Sequence, residues 1–293
     1  MPERIYAILG YPDEQRERVQ RMFLDAGLID ELVQPRTREL YRIELPSEEA
    51  ALRLTAAARL HDLAPPHIQR TFAATPRELA ACELLVLSAG GPGANNGPPR
   101  TGTDYDETTA CPECGAGLMQ TTSLVVRASE LPKGRTTTAC AIGDDLLLHD
   151  SVAKPMEQAG LRGIGFRPVL GRDGNPNAWR QMVVAQTLPP MLASARGMIR
   201  GRIRGEKPCT RCGRDGWFNS TTDPFIPAYA RAVLGTIRDA AWTYELFSTG
   251  AWAHPIHGKR SLARRTLIVR PAVYRLLKSL KARGIRASPV QVA

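Results

Sequence analysis

A chain of 293 residues is long for one hydrophobic core and comfortable for two. Its hydrophobic content of 43% suits a globular protein, and the lack of any run of about 18 apolar residues argues against a membrane-spanning helix. The net charge of +10 is uneven: residues 1–110 hold 12 Lys+Arg against 17 Asp+Glu, and residues 195–293 hold 19 against 5. Such asymmetry points to an acidic partner for the C-terminal part, or to docking of the basic end on the acidic one. The opening MPERIYAILG has early charges and no apolar stretch ending in small residues, so a cytoplasmic protein with reduced thiols is expected.

RIYAILG (Arg4–Gly10) has the β-branched and aromatic content of a short strand. Pro12 and Asp13 then open a helix through DEQRERVQRMFLDAGL, with Val19, Met22 and Phe23 at helical spacing and Gly27 as its stop. LYRIEL (Leu40–Leu45) reads as a second strand, and Ser47 with Glu48 and Glu49 caps a helix running to about Leu63. HIQRTF and ELLVLSA complete a βαββ-like series. The series predicts a small α/β sandwich over residues 1–89, with a ferredoxin-like arrangement among the topologies it allows.

Residues Gly90–Thr109 are rich in Gly, Pro and Asn and nearly devoid of apolar side chains, which predicts a linker. A glycine-rich phosphate loop would need a following Lys-Ser/Thr and a helix, and neither pattern is there. Residues 110–293 therefore form a second domain.

Within it an internal repeat appears. LLLHDSVAKPMEQAGLRGIGFRPV (Leu146–Val169) and LIVRPAVYRLLKSLKARGIRASPV (Leu267–Val290) align without a gap at an offset of 121 residues. Val152 matches Val273, Arg162 matches Arg283, Gly163 and Ile164 match Gly284 and Ile285, and Pro168 and Val169 match Pro289 and Val290. Each copy predicts a strand, a short helix, a Gly stop and a second strand, and each follows a CxxCG motif.

Those motifs are CPECG (Cys111–Gly115) and CTRCG (Cys209–Gly213). Two intervening residues let both thiolates of a pair face one ion from a tight turn, and the following Gly frees backbone amides to face the sulfurs. One such knuckle supplies two ligands and tetrahedral zinc needs four, so Cys111, Cys114, Cys209 and Cys212 are expected to share one structural Zn2+. A redox CxxC should open a helix, whereas Gly-Ala-Gly and Gly-Arg-Asp-Gly follow here. An iron–sulfur cluster is the remaining alternative for the same ligands. A zinc deaminase would pair Cys111-Pro-Glu113 with Pro208-Cys209-Thr-Arg-Cys212, but Cys114 would then occupy the position that a catalytic zinc keeps open for water. Cys82 and Cys140 read as small core hydrophobes, and His254 and His257, around Pro255, as loop residues. No catalytic residue is assigned.

The stretch ARGMIRGRIRGEKPCTRCGR (Ala195–Arg214) surrounds the second motif with cations. A solvated strand face accounts for Arg200, Arg202 and Arg204. The sharper alternative is a phosphate-contacting ribbon of Arg196, Arg200, Arg202, Arg204, Lys207, Arg211 and Arg214, in which few aromatics interleave to stack on bases. Arg275, Lys278 and Lys281, three apart, fit an ordinary exposed helix face.

CPECG, the GLRGIGFRPV segment, CTRCGRDGWF and the closing LIVRPAVYRLLKSLKARGI together resemble the double-CXXCG motif proteins, a paralogous family expanded in myxobacteria. The resemblance covers roughly residues 105–293. It implies a zinc-binding, non-enzymatic protein whose partner is a cognate toxin, because some members are immunity proteins, and it carries over the four cysteines. Two departures stand out: about 100 additional N-terminal residues, and a strongly basic motif-bearing domain. The second argues against simple charge blocking of a nuclease, since a nucleic-acid mimic should be acidic. The combined expectation is an α+β protein: an N-terminal α/β sandwich plus a zinc-ribbon-containing domain with two β-α-β pseudo-repeats. A nucleic-acid-binding zinc ribbon is the alternative function.

Overall fold

The computed structural model describes residues 3–10, 13–29, 40–72, 74–89, 103–106, 108, 110–112, 119–139, 145–200, 211–212, 216–219, 224–247 and 265–293. Helices and mainly antiparallel sheets coexist, which makes the fold α+β. The chain divides into two compact units, Met1–Thr75 with Ser220–Phe225, and Pro76–Asn219 with Ile226–Ala293.

In the first unit the elements are β1 (Glu3–Gly10), α1 (Arg16–Asp25), β2 (Leu40–Leu45), α2 (Glu48–Leu60) and β3 (His67–Phe72). The sheet runs β2-β1-β3, with β1 antiparallel to both neighbours. The local signals act as their chemistry dictates. Gly27 takes the left-handed backbone (φ 67°) that ends α1, and the Ser47 hydroxyl accepts the Ala50 N–H at 3.1 Å at the start of α2. Met22, Phe23 and Leu54 are fully buried against Ala7 and Ile43.

The second unit begins with α3 (Pro76–Ala81) and β4 (Leu85–Ala89). It continues with β5 (Tyr105–Asp106), β6 (Met119–Gln120), β7 (Thr137–Ala139), β8 (Leu146–His149), α4 (Asp150–Gln158), β9 (Ile164–Leu170) and β10 (Pro176–Val184). Then come β11 (Met198–Arg200), β12 (Gly216–Asn219), β13 (Ala228–Tyr229), α5 (Val233–Thr236), β14 (Ala240–Trp242) and β15 (Leu246–Phe247). The chain closes with β16 (Leu267–Val269), α6 (Pro271–Ser279), β17 (Ile285–Pro289) and β18 (Gln291–Val292).

Two of its sheets share one plan. Their strand orders are β7-β8-β10-β9 and β14-β16-β4-β17, so in each a strand–helix–strand segment straddles an antiparallel central strand. The registers coincide residue for residue at the 121-residue offset. Arg180 of β10 faces Leu148 and Pro168, and Leu85 of β4 faces Val269 and Pro289. On the outer edge Thr138 faces Leu147, as Ala241 faces Ile268. The helices bury equivalent triplets, Val152, Ala153 and Met156 in α4 and Val273, Tyr274 and Leu277 in α6.

The copies also hold each other reciprocally. Asp239 donates its N–H to the Arg162 carbonyl at 3.0 Å and accepts the Arg162 N–H on its carboxylate at 2.6 Å. Thr136, at the matching place beside β7, donates its N–H to the Arg283 carbonyl at 3.4 Å and accepts the Arg283 N–H on its hydroxyl at 2.7 Å. The next residues are the shared glycines, Gly163 (φ 78°) and Gly284 (φ 93°). A Cβ would stand 2.8 Å from the Arg238 Cδ at the first and 3.0 Å from the Thr137 Oγ1 at the second. The positive backbone angle calls for glycine at both places, and a Cβ there would press on its neighbours.

One strand departs from the expected organisation. ELLVLSA forms β4, but β4 hydrogen-bonds to β16 and β17 rather than to the first three strands. The unit boundary therefore falls at Thr75/Pro76 and not after residue 89. The run Leu84–Leu87 is buried throughout, a pattern that specifies a two-sided central strand without saying which sheet it enters. The end of the expected linker is likewise part of the second unit: Thr103 is buried and Tyr105–Asp106 pair with β6.

Candidate metal centre

Each CxxCG motif lies in a segment that joins two antiparallel strands. Residues 107–118 connect β5 to β6, paired as Tyr105 with Gln120 and Asp106 with Met119. Residues 201–215 connect β11 to β12, paired from Met198–Asn219 to Arg200–Trp217. Such a pairing brings the two ends of each CxxCG-containing segment together.

The first hairpin is rooted in the first copy. Thr103 Oγ1 accepts the Val125 N–H at 3.0 Å, and Thr122 Oγ1 accepts the Asp104 N–H at 2.8 Å. Leu124 and Val126 are fully buried with Leu147, Val169 and Trp179. The carboxamides of Gln120 and Gln181 bond reciprocally at 3.0 and 2.8 Å, tying β6 to β10. Asp106 accepts from the Thr108 hydroxyl at 2.7 Å and the Thr108 N–H at 2.8 Å, and these bonds hold its carboxyl below the ordinary range.

The second hairpin has a third strand, β15, parallel to β12 through Gly216–Leu246 and Trp217–Phe247. Its foot is fixed by two backbone hydrogen bonds between Arg196 and Ile226, at 3.0 and 2.9 Å. Next to β15 lies a buried carboxyl: Glu245 Oε1 accepts the Met191 N–H at 2.6 Å, while Oε2 and the Tyr229 hydroxyl are buried without a hydrogen-bond partner among the described residues. Burial pushes the Glu245 carboxyl up, partly opposed by the Met191 N–H. The Tyr229 hydroxyl is also pushed up, by burial first and by the Glu245 charge second. No spacing or composition in the chain pointed to this pair.

Of the four expected ligands, Cys111 is buried beside the first hairpin and Cys212 is exposed in the turn Arg211–Cys212. Cys114 and Cys209 lie outside the described residues, as do Glu113, Cys140, His254 and His257. Among the described residues no group of three His, Cys, Asp or Glu side chains converges on one point. Four thiolates in two pairs remain a donor set that suits tetrahedral zinc by hardness and number. In the basic stretch, Arg196 and Arg211 are exposed and Arg200 belongs to β11, whereas Arg202, Arg204, Lys207 and Arg214 lie outside the described residues. Cys82, expected in the core, is only half-buried and donates its thiol to the Glu78 carbonyl at 3.3 Å; burial and then the Glu78 charge push that thiol up. No described helix is long and apolar enough to cross a membrane. Set against known protein families, curated proteins and solved structures, the chain matches none of them.

Proposed function

We propose that this chain is a non-enzymatic, zinc-binding interaction protein, an immunity protein that acts in the cytoplasm by holding a cognate toxin. The observation that carries the metal part is the matched placement of the two CxxCG segments. Both span antiparallel strand pairs, and both belong to one compact unit. Cys111, Cys114, Cys209 and Cys212 would hold a structural zinc of zinc-ribbon type, with no ligand position left for water. The toxin-binding part rests on the resemblance to the double-CXXCG proteins. In the first unit, β2-α2-β3 straddling β1 is compatible with one half of a ferredoxin-like sheet.

Metal analysis of the purified full chain tests the centre: one zinc per chain is expected, and Cys111→Ser or Cys212→Ser should reduce that value to near zero. Chelation should melt the second unit, because a structural site of this kind contributes its binding energy to folding. A metal-free, fully folded chain would refute the centre. The partner is tested by co-purification with the product of the adjacent gene. A stoichiometric complex that survives raised salt supports toxin binding, and recovery of bulk nucleic acid alone refutes it.

A further inference from the structure

The two copies share a plan but not a charge. Residues 246–293 contain ten Lys+Arg and no Asp or Glu, so the whole surplus of +10 follows Glu245. On α4 of the first copy the charges are paired. Asp150 pairs with Lys154 at 2.9 Å and with Arg180 at 2.8 Å, and Glu157 pairs with Arg180 at 3.3 Å. At the equivalent places the second copy has Pro271, Arg275 and Lys278, and Leu85 stands where Arg180 would. Arg275, Lys278 and Lys281 are exposed, and none of the three has an ion-pair partner among the described residues.

A second observation concerns the backbone. Lys281 follows α6 with φ 53°, a left-handed backbone that disfavours every residue with a Cβ. The first copy has Gly160 at this position, with φ 65°. Where glycine would relax the turn, the second copy keeps a lysine. Asp62 closes α2 in the same way (φ 51°), so the fold accepts a side chain at such a position, and at Lys281 that side chain is a cation where the first copy has none.

We propose that the C-terminal end of α6, with Arg275 and Lys278 on the helix and Lys281 in the turn that follows, binds the sugar-phosphate backbone of nucleic acid without regard to sequence. Arg275 and Lys278, three apart on α6, lie on one side of the helix, and Lys281 follows in the turn that ends it, so three exposed cations lie within seven residues for a linear polyanion. The alternative occupant, an acidic protein surface, fits less well. Stable protein interfaces centre on aromatic or apolar anchors, whereas the large exposed hydrophobics among the described residues are Leu24, Ile29, Leu52, Leu60, Leu192 and Tyr244, none of them on α6 or β17. Phosphate contacts need cations alone. The site is distinct from the arginines around the second CxxCG motif and does not depend on toxin binding.

The test is a salt titration of the full chain against a fluorescein-labelled duplex DNA of about 20 base pairs and a single-stranded RNA of similar length, read by anisotropy. Neutralising the three (R275Q/K278Q/K281Q) should make the slope of log K against log salt shallower by about 2.7 on duplex and about 2.1 on single strands, at 0.9 and 0.7 per phosphate contact. Lys154→Gln, on α4, should leave the slope unchanged. Lys281→Gly separates binding from folding: it should raise Tm by roughly 2 °C while making the duplex slope about 0.9 shallower. Tighter binding of RNA or of duplex DNA identifies the source, and either result supports the site. Absence of binding to both, slopes unmoved by the triple substitution, or a Lys281→Gly variant that keeps the wild-type slope would each overturn the proposal. So would poly-L-glutamate competing as well as DNA at equal charge, which would assign the face to an acidic protein.

Discussion

The two copies in the second unit reach one architecture by different routes. The first is continuous: β8, α4, β9 and β10 follow one another, and a β9–β10 hairpin delivers the central strand. The second is assembled from distant pieces, because its central strand β4 lies nearly 180 residues before β16. Register with the flanking strands is nonetheless identical. Sheet geometry is therefore specified by side chains at the pairing positions, and the order in which the chain visits those positions is free. The comparison also separates what the shared residues do from what the divergent ones do. All seven shared residues serve the architecture. Leu146 and Leu267 are buried in β8 and β16, Val152 and Val273 lie on the buried faces of α4 and α6, the Arg-Gly-Ile turns hold the other copy, Pro168 and Pro289 face the central strands, and Val169 and Val290 are buried. The divergent residues set charge.

The comparison breaks most severely if β4 is dispensable. Val86→Pro removes ladder bonds in a strand paired on both sides, and it should abolish cooperative thermal unfolding of the second unit in circular dichroism. Retention of that transition would mean that β4 is only an accessory. Next in size, Leu147→Ala and Ile268→Ala occupy matched and fully buried positions, so each should cost about 2–5 kcal/mol in denaturant unfolding, with similar values for the two. Smaller effects belong to the reciprocal contacts. Thr136→Ala and Asp239→Ala each remove one acceptor from a backbone N–H of the other copy and should cost about 1 kcal/mol apiece.

The smallest effect is a pH dependence seated on α4 of the first copy. Burial works against ionisation of Asp150, but its hydrogen bonds and charge interactions with Lys154 and Arg180 prevail and hold the carboxyl below its ordinary value. The resulting stabilisation is complete above the unfolded carboxyl value of about 3.9 and fades as pH falls through the lower folded value. The pair is partly solvated, so Asp150→Asn should remove about 0.5–1 kcal/mol near neutral pH and flatten the acid limb of a melting series. No exposed carboxylate exists on α6 to give that helix such a limb.

Local structure was legible in the sequence. The strand Leu40–Leu45, the Ser47 cap and the Gly27 stop follow from residue chemistry within a few positions. So did the extent of both repeats, because strand, helix and glycine turn are all short-range signals. The partner of β4 was not legible: an all-apolar run such as Leu84–Leu87 declares burial on two faces and nothing about its neighbours, and its position beside β1–β3 in the chain misled. At the candidate centre, cysteine spacing marked the ligands, but the strand pairs around them rest on two- to four-residue strands too brief to show periodicity. The Tyr229–Glu245 pair leaves no sequence trace, since each of its members is an unremarkable polar residue until the fold buries it.

The late closure of the second sheet has a consequence for biosynthesis. β4 leaves the ribosome some 200 residues ahead of the later of the two strands that flank it. At about 5–20 residues per second, the run Leu84–Leu87 waits for about 10–40 s with its apolar side chains and backbone groups unsatisfied. During that interval the nascent chain presents an open, sticky ribbon that neighbouring chains can seize. Yield in a foreign host should accordingly depend on translation speed and on chaperone supply more steeply than the stability of the finished protein would suggest.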